Sequence, residues 1–209
     1  MFDLECRACP RLAGFLDQVK RDYPDYHARP VAPFGDPKAR LLVVGLAPGM
    51  HGANASGRPF TGDYAGILLY DTLYRHGFSS APESLSRDDR LQLSDCRITN
   101  AVKCLPPQNK PVGSEINTCN RFLAKELESL PSGAVVVALG SIAHTAVLKA
   151  RGLRQKEFPF GHNRQHRLAG DLWLIDSYHC SRYNTQTRRL TDPMFQAVFR
   201  RARTLLGKL

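Results

Sequence analysis

The chain has 209 residues with 43% hydrophobic content, enough for one folded domain with a sizeable core. Its 29 basic residues outnumber 19 acidic ones, for a formal charge of +10; that surplus favours polyanions, nucleic acid before anionic membrane, with plain solubility as the alternative. No apolar run approaches the roughly 18 residues of a membrane span, and the start MFDLECRACP lacks a signal peptide's basic and apolar regions, so the expectation is a cytoplasmic protein with no membrane partner and with reduced cysteines.

Along the chain, Cys6 and Cys9 come first, and Pro10 opens a short helix. RLLVV (40–44) is too short and β-branched for a helix and reads as a buried strand. A long connection follows, GLAPGMHGANASGRPFTGD (45–63), with glycines throughout but no P-loop lysine. AGILLYDTLYRHG (65–77) reads as a helix ending at Gly77. Residues 79–94 are polar and loop-like, with room for a short helical turn. CRITNAVKC (96–104) is a second strand, closed by Pro106 and Pro107. Over 114–130, Ile116, Cys119, Phe122, Leu123, Leu127 and Leu130 fall at helical spacing. AVVVALG (134–140) is a third strand running into the helix SIAHTAVLKA, and LWLIDSYHC (172–180) is a fourth strand. The last helix begins near Asp192.

Strands alternating with helices imply a parallel sheet with helices on both faces. In such folds the ligand sits beyond the carboxyl ends of the strands. The loops there, 45–63, 100–104 and 179–187, hold most of the unusual polar residues. No repeat, low-complexity tract or linker interrupts the chain, so one domain over 1–209 is expected.

Six cysteines are present. Cys6 and Cys9 form a C-x2-C knuckle, and Cys104 and Cys119 supply two more thiols from a proline-rich loop and a helix start. Two such pairs suit a four-thiolate site for zinc or an iron–sulfur cluster, and spacing alone does not choose between them. Cys96 and Cys180 lie in apolar strand patterns and read as small buried hydrophobes.

Together GLAPGMHGANASGRPFTGD (45–63), ITNAVKCLPP (98–107), SYHCSRYNTQTRRLT (177–191) and the cysteines at 6, 9, 104 and 119 resemble family 5 of the uracil-DNA glycosylase superfamily, the thermophile or UDGb type. The resemblance spans nearly the whole chain. It implies a three-layer α/β/α fold around a four-stranded parallel sheet and a [4Fe–4S] cluster on those four cysteines. It also implies excision of uracil, and of other deaminated bases such as hypoxanthine, from DNA. Families 1 and 4 carry a carboxylate near the end of the first strand. Here Gly45-Leu46-Ala47-Pro48 has none, which is a family 5 trait, and the family 1 way of activating water does not carry over.

A base glycosylase takes its target out of the stack and reads it by stacking and edge hydrogen bonds. Breaking the glycosidic bond then develops a cationic sugar and an anionic base, so catalysis is largely electrostatic. Phe60 is the candidate platform under the base, with a core aromatic as the alternative. Asn100, whose amide offers both an acceptor and a donor, suits the uracil edge; a cap is the plainer role. His179, at a strand's carboxyl end, is the candidate donor to the base oxygen, and a neutral imidazole suffices. Asp63 is either an N-cap or the carboxylate that assists the cation or water. Gly45, Ala47, Gly49 and Gly52 let backbone approach the base, and His51 is a further polar contact for water or phosphate. Arg182, Tyr183 and Asn184 form a loop suited to the DNA groove or to the gap left by the flipped base. Lys103, Lys110, Arg188 and Arg189 are candidate phosphate contacts. A monomer is the default. Two readings compete with the glycosylase: a cluster-bearing nucleic-acid binder without activity, and a zinc-bearing hydrolase of free nucleotides.

Overall fold

The computed structural model describes residues 2–207. Its sheet has six strands: β1 (Phe34–Gly35), β2 (Leu41–Gly45), β3 (Cys96–Asn100), β4 (Val135–Leu139), β5 (Gln165–Leu168) and β6 (Leu172–Ser177). They lie in the order β1-β3-β2-β4-β6-β5. The inner strands β3, β2, β4 and β6 are mutually parallel, and these are the strands legible in the sequence. The sheet is nevertheless mixed and two strands wider than expected, because β1 and β5 pair antiparallel at its edges. β1 has only two residues, and β5 alternates exposed and covered positions without a run of apolar residues. Neither leaves the pattern of a buried strand.

The helices are α1 (Pro10–Asp22), α2 (Ala53–Ser56), α3 (Tyr64–Arg75), α4 (Gly113–Glu128), α5 (Ser141–Ala150), α6 (Arg182–Gln186) and α7 (Asp192–Leu206). Alternation along β2 divides the core. Leu41 and Val43 face α3 and α7, with Leu69, Leu73, Phe195, Val198 and Phe199. Leu42 and Val44 face α4 and α5, with Leu123, Leu127, Ala143 and Val147. This is the three-layer α/β/α arrangement. A smaller core joins α1 to the segment after β3 through Leu12, Leu16, Val102 and Leu105. Among the described residues no helix is long and apolar enough to cross a membrane.

Several expectations are corrected. The helix opened by Pro10 is not short but runs thirteen residues, because Leu12, Ala13, Leu16 and Val19 give it a buried stripe. Residues 79–94 contain no helix; the segment is held by its bonds to the glycine-rich loop instead. Residues 182–186, expected as loop, form α6, which Ser181 caps by accepting from the Asn184 N–H. Lys103 is no phosphate contact. It is buried, and its ammonium donates to Thr99 Oγ1 and to Glu126 Oε1, the latter at 2.7 Å.

Candidate active site and cysteine cluster

β2 and β3 run in register to their ends, where Gly45 pairs with Asn100. A side chain at Gly45 would not fit: its Cβ would stand 2.4 Å from Asn100 Oδ1 and 2.6 Å from Phe60 Cζ. The glycine therefore allows the amide and the ring to meet over the strand end. Phe60 itself takes φ of 55°, an uncommon conformation for an aromatic residue. The loop around it is fixed from outside. Buried Arg58 donates to Ser84 Oγ at 3.1 Å and to the Arg87 carbonyl at 2.5 Å, pairs with Asp89, and lies over the Phe34 ring. Tyr70 donates to the Pro59 carbonyl at 2.9 Å. These bonds give the loop the rigidity a binding platform needs.

A cavity of about 370 Å³ opens at these strand ends. Ala47, Gly49, Phe60, Asp63, Asn100, His179 and Arg182 all line it. Residues from three separated stretches thus meet at one place, as the expected position beyond the carboxyl ends requires. The Phe60 and His179 rings lie 6.0 Å apart and within 28° of parallel. Asn100 Oδ1 is buried and has no hydrogen-bond partner. An acceptor left so is costly unless a ligand fills it. His179 is held far below its ordinary value, at about 4, because burial disfavours the imidazolium. It is therefore neutral at physiological pH. Asn184 donates to the His179 carbonyl at 2.8 Å, fixing the backbone behind it.

Asp63 is the one carboxylate among the described lining residues. Both roles offered for it are compatible with its position. Oδ1 accepts the Gly66 N–H at 2.8 Å and caps α3. The rest of the carboxylate lies over Gly52, whose absent Cβ would stand 2.5 Å from Asp63 Cβ. Burial raises its pKa above the usual carboxylate value, partly offset by the N–H groups of Gly66 and Ala65.

Gly45 lies beneath the cavity rather than on its wall. His51 stands apart, in a neighbouring groove, where Nδ1 is 2.8 Å from the Tyr26 hydroxyl. Arg182 lies over the Tyr64 ring at the rim, its guanidinium carbon 5.5 Å from the centroid. Tyr183 is 70% exposed beside it. Sequence reasoning missed Tyr64, Asn109 and Ser181 as lining residues. Asn109 had no local signal: it follows two prolines and reaches the cavity through two successive left-handed residues, Gln108 and Asn109.

The four cysteines converge on a second, mostly apolar pocket, which Cys6, Cys9, Cys104 and Cys119 all line with Leu12 and Phe122. Arg11 clamps α1 to α4 by donating from Nε and Nη2 to the buried Glu115, both at 2.8 Å. Lys103 N–H points at Cys119 Sγ, 3.3 Å away, and Arg121 at Cys6 Sγ, 3.5 Å away. Burial, then repulsion from the other thiolates, pushes Cys104 up to about 12, so a cation is needed to hold these sulfurs as thiolates. Four thiols around one pocket are a donor set for zinc or for an iron–sulfur cluster. Cys96 and Cys180 are fully buried in the core, as expected.

A model of the uracil DNA glycosylase superfamily matches residues 32–203. The type-5 uracil-DNA glycosylase of Thermus thermophilus is 50% identical, over 97% of this chain and 94% of its own length. The protein of the same name from Pyrobaculum aerophilum is 42% identical over 99% and 91%, and that from Mycobacterium leprae 40% over 97% and 92%.

Proposed function

The chain belongs to the uracil DNA glycosylase superfamily, and we propose that it is a hydrolase that removes uracil from DNA and leaves an abasic site. One observation carries the reading: a buried, unpartnered Asn100 Oδ1 shares a cavity with the Phe60 ring and a neutral His179. An aromatic face and an amide edge are what a flipped base requires. Asn100 accepts the base N3–H through Oδ1 and offers its amide N–H to O4. Phe60 stacks beneath the ring. As the N1–C1′ bond breaks, its electron pair passes to the base, and His179 N–H donates to the oxygen where negative charge grows. Ala47 and Gly49 bring backbone close to the base. Asp63 faces the developing sugar cation and accepts the proton of the water that bonds to C1′.

Hypoxanthine fits the same reading. It presents an N–H beside a carbonyl, as uracil does, and the cavity of about 370 Å³ has room for two rings. Tyr183 and Arg182 meet the DNA, the exposed ring suiting the gap left by the base. Asn184 supports them from behind, and His51 contacts the backbone from its own groove. Lys110, Arg188 and Arg189, all exposed, remain phosphate contacts.

Cys6, Cys9, Cys104 and Cys119 would hold a [4Fe–4S] cluster, supported by their shared pocket. When bound, the cluster is a cross-link between the N-terminal segment and the 104–119 loop, with no part in the bond cleavage. A cytoplasmic monomer acting on uracil-containing DNA completes the reading. Labelled duplexes carrying one uracil, one hypoxanthine or no damage test it. Alkali should cut the first two and not the third. Cutting at uracil alone would remove the broader specificity, and no cutting by a folded sample would remove the function.

A further inference from the structure

Behind β6, on the α5 face, lies a buried polar group unused by the chemistry above. His144 and Asp176 are both fully buried. His144 Nδ1 is 2.7 Å from Asp176 Oδ1, and His144 Nε2 is 2.8 Å from the Phe158 carbonyl oxygen. Asp176 Oδ2 accepts the Gly161 N–H at 3.2 Å and faces His166 Nε2 at 3.4 Å. The Asp176 backbone joins the same loop, donating to the Arg164 carbonyl and accepting from the Asn163 N–H. Asp176 thus gathers α5, the 158–164 loop and β5 onto β6, three residues before His179.

A carbonyl only accepts, so Nε2 carries a proton. The second contact is then decisive: if Nδ1 were bare, its lone pair would point at a carboxylate oxygen. A proton or a metal ion must lie between them. Two ligands of one zinc at about 2.0–2.1 Å would stand about 3.3 Å apart, so a 2.7 Å contact fits a proton and not a metal. The Gly161 N–H on the other oxygen favours the ionised carboxylate, leaving that proton on the ring.

We propose that His144 and Asp176 form a buried imidazolium–carboxylate pair that sets the end of β6, making both of them positioning residues for His179. The loop they hold continues the support: the Tyr178 N–H donates to His162 Nδ1 at 3.2 Å, and the two rings stack 5.0 Å apart. The groups facing His144 are Asp176 from β6, His166 from β5 and the Phe158 carbonyl.

The functional part of this inference rests on the glycosylase reading; the protonation does not. Nitrogen NMR of the whole chain carrying labelled histidine should find protons on both His144 ring nitrogens at neutral pH. One bare nitrogen would overturn the pair, as would stoichiometric zinc that is lost in His144→Gln. In single-turnover excision, His144→Gln and Asp176→Asn should each slow uracil release about tenfold or more, with DNA affinity unchanged. The double variant should be no slower than the slower single one, as expected of two residues acting as a unit. Wild-type excision rates in both single variants, or losses that multiply in the double variant, would overturn the positioning role. Should the variants fail to fold, the NMR measurement on the native chain still decides the pair.

Discussion

Gly45→Ala puts one methyl group where the site has no room. The new Cβ would stand 2.4 Å from Asn100 Oδ1 and 2.6 Å from Phe60 Cζ, whereas ordinary contact begins at 3.4 Å. The two side chains must therefore retreat by about 1 Å. Protein backs both, Asn100 at the end of β3 and Phe60 on a loop bolted by Arg58, so they give way into the cavity where the base would sit. Overpacking of this kind costs about 1–3 kcal/mol of stability. A displacement of about 1 Å at reacting groups costs about a hundredfold in rate, or about 2.7 kcal/mol of barrier. The expected result is a folded protein with a modestly lowered Tm, near-native affinity for undamaged DNA, and single-turnover uracil excision slowed about a hundredfold. A variant that excises uracil within about threefold of wild type would refute the claim that Asn100 and Phe60 act from these positions.

Further outcomes follow from the same geometry. His179→Ala should remove most excision while DNA binding survives; unchanged turnover would remove the donor assignment. His179 also links folding to pH. Its folded value of about 4 lies below the unfolded 6.5, so the unfolded chain binds the extra proton. Its contribution leaves stability intact above pH 6.5 and lowers it as pH falls through that window, a slope that His179→Ala should flatten in denaturant titrations. Asp63→Asn keeps an oxygen to cap α3 and loses the charge, whereas Asp63→Ala loses both. The first should hold its stability and the second lose about 1 kcal/mol, while both should slow excision about a hundredfold or more. An unimpaired Asp63→Asn would leave the residue a cap alone. Cys104→Ser should lower the iron content and visible absorbance of purified protein, and full retention of both would break the proposed ligand set.

Three of the four parallel strands were legible as apolar runs, Leu41–Val44, Val135–Leu139 and Leu172–Ile175, and β3 as the short β-branched stretch around Ile98 and Thr99. The edge strands were not, since hydrogen bonding to a neighbour, rather than burial, defines them. Asn100 and His179 could be found because each ends or follows a strand whose apolar pattern breaks at a polar residue, and Asp63 because it stands at the N-cap of a helix. Lys103 misled for a related reason. A lysine in a loop leading to two prolines ordinarily meets solvent, yet its partner Glu126 lies on another element, a pairing no local pattern reports. Arg58 is the same case in reverse: it sits in the most conspicuous loop of the chain but acts on 84–89, behind the platform. His51 belongs to the motif by sequence and to the Tyr26 groove in space, because α2 turns the loop between them. The His144–Asp176 pair left no mark, as each residue merely interrupts an apolar run.

The central claim is hydrolysis of the bond between uracil and its sugar in DNA. Mass spectrometry of a reaction run in heavy-oxygen water tests it most directly. The account predicts free uracil and an abasic sugar carrying one heavy oxygen at C1′, in equal amounts. Release of no uracil by a folded, DNA-binding sample, or an abasic product without the label, would contradict it.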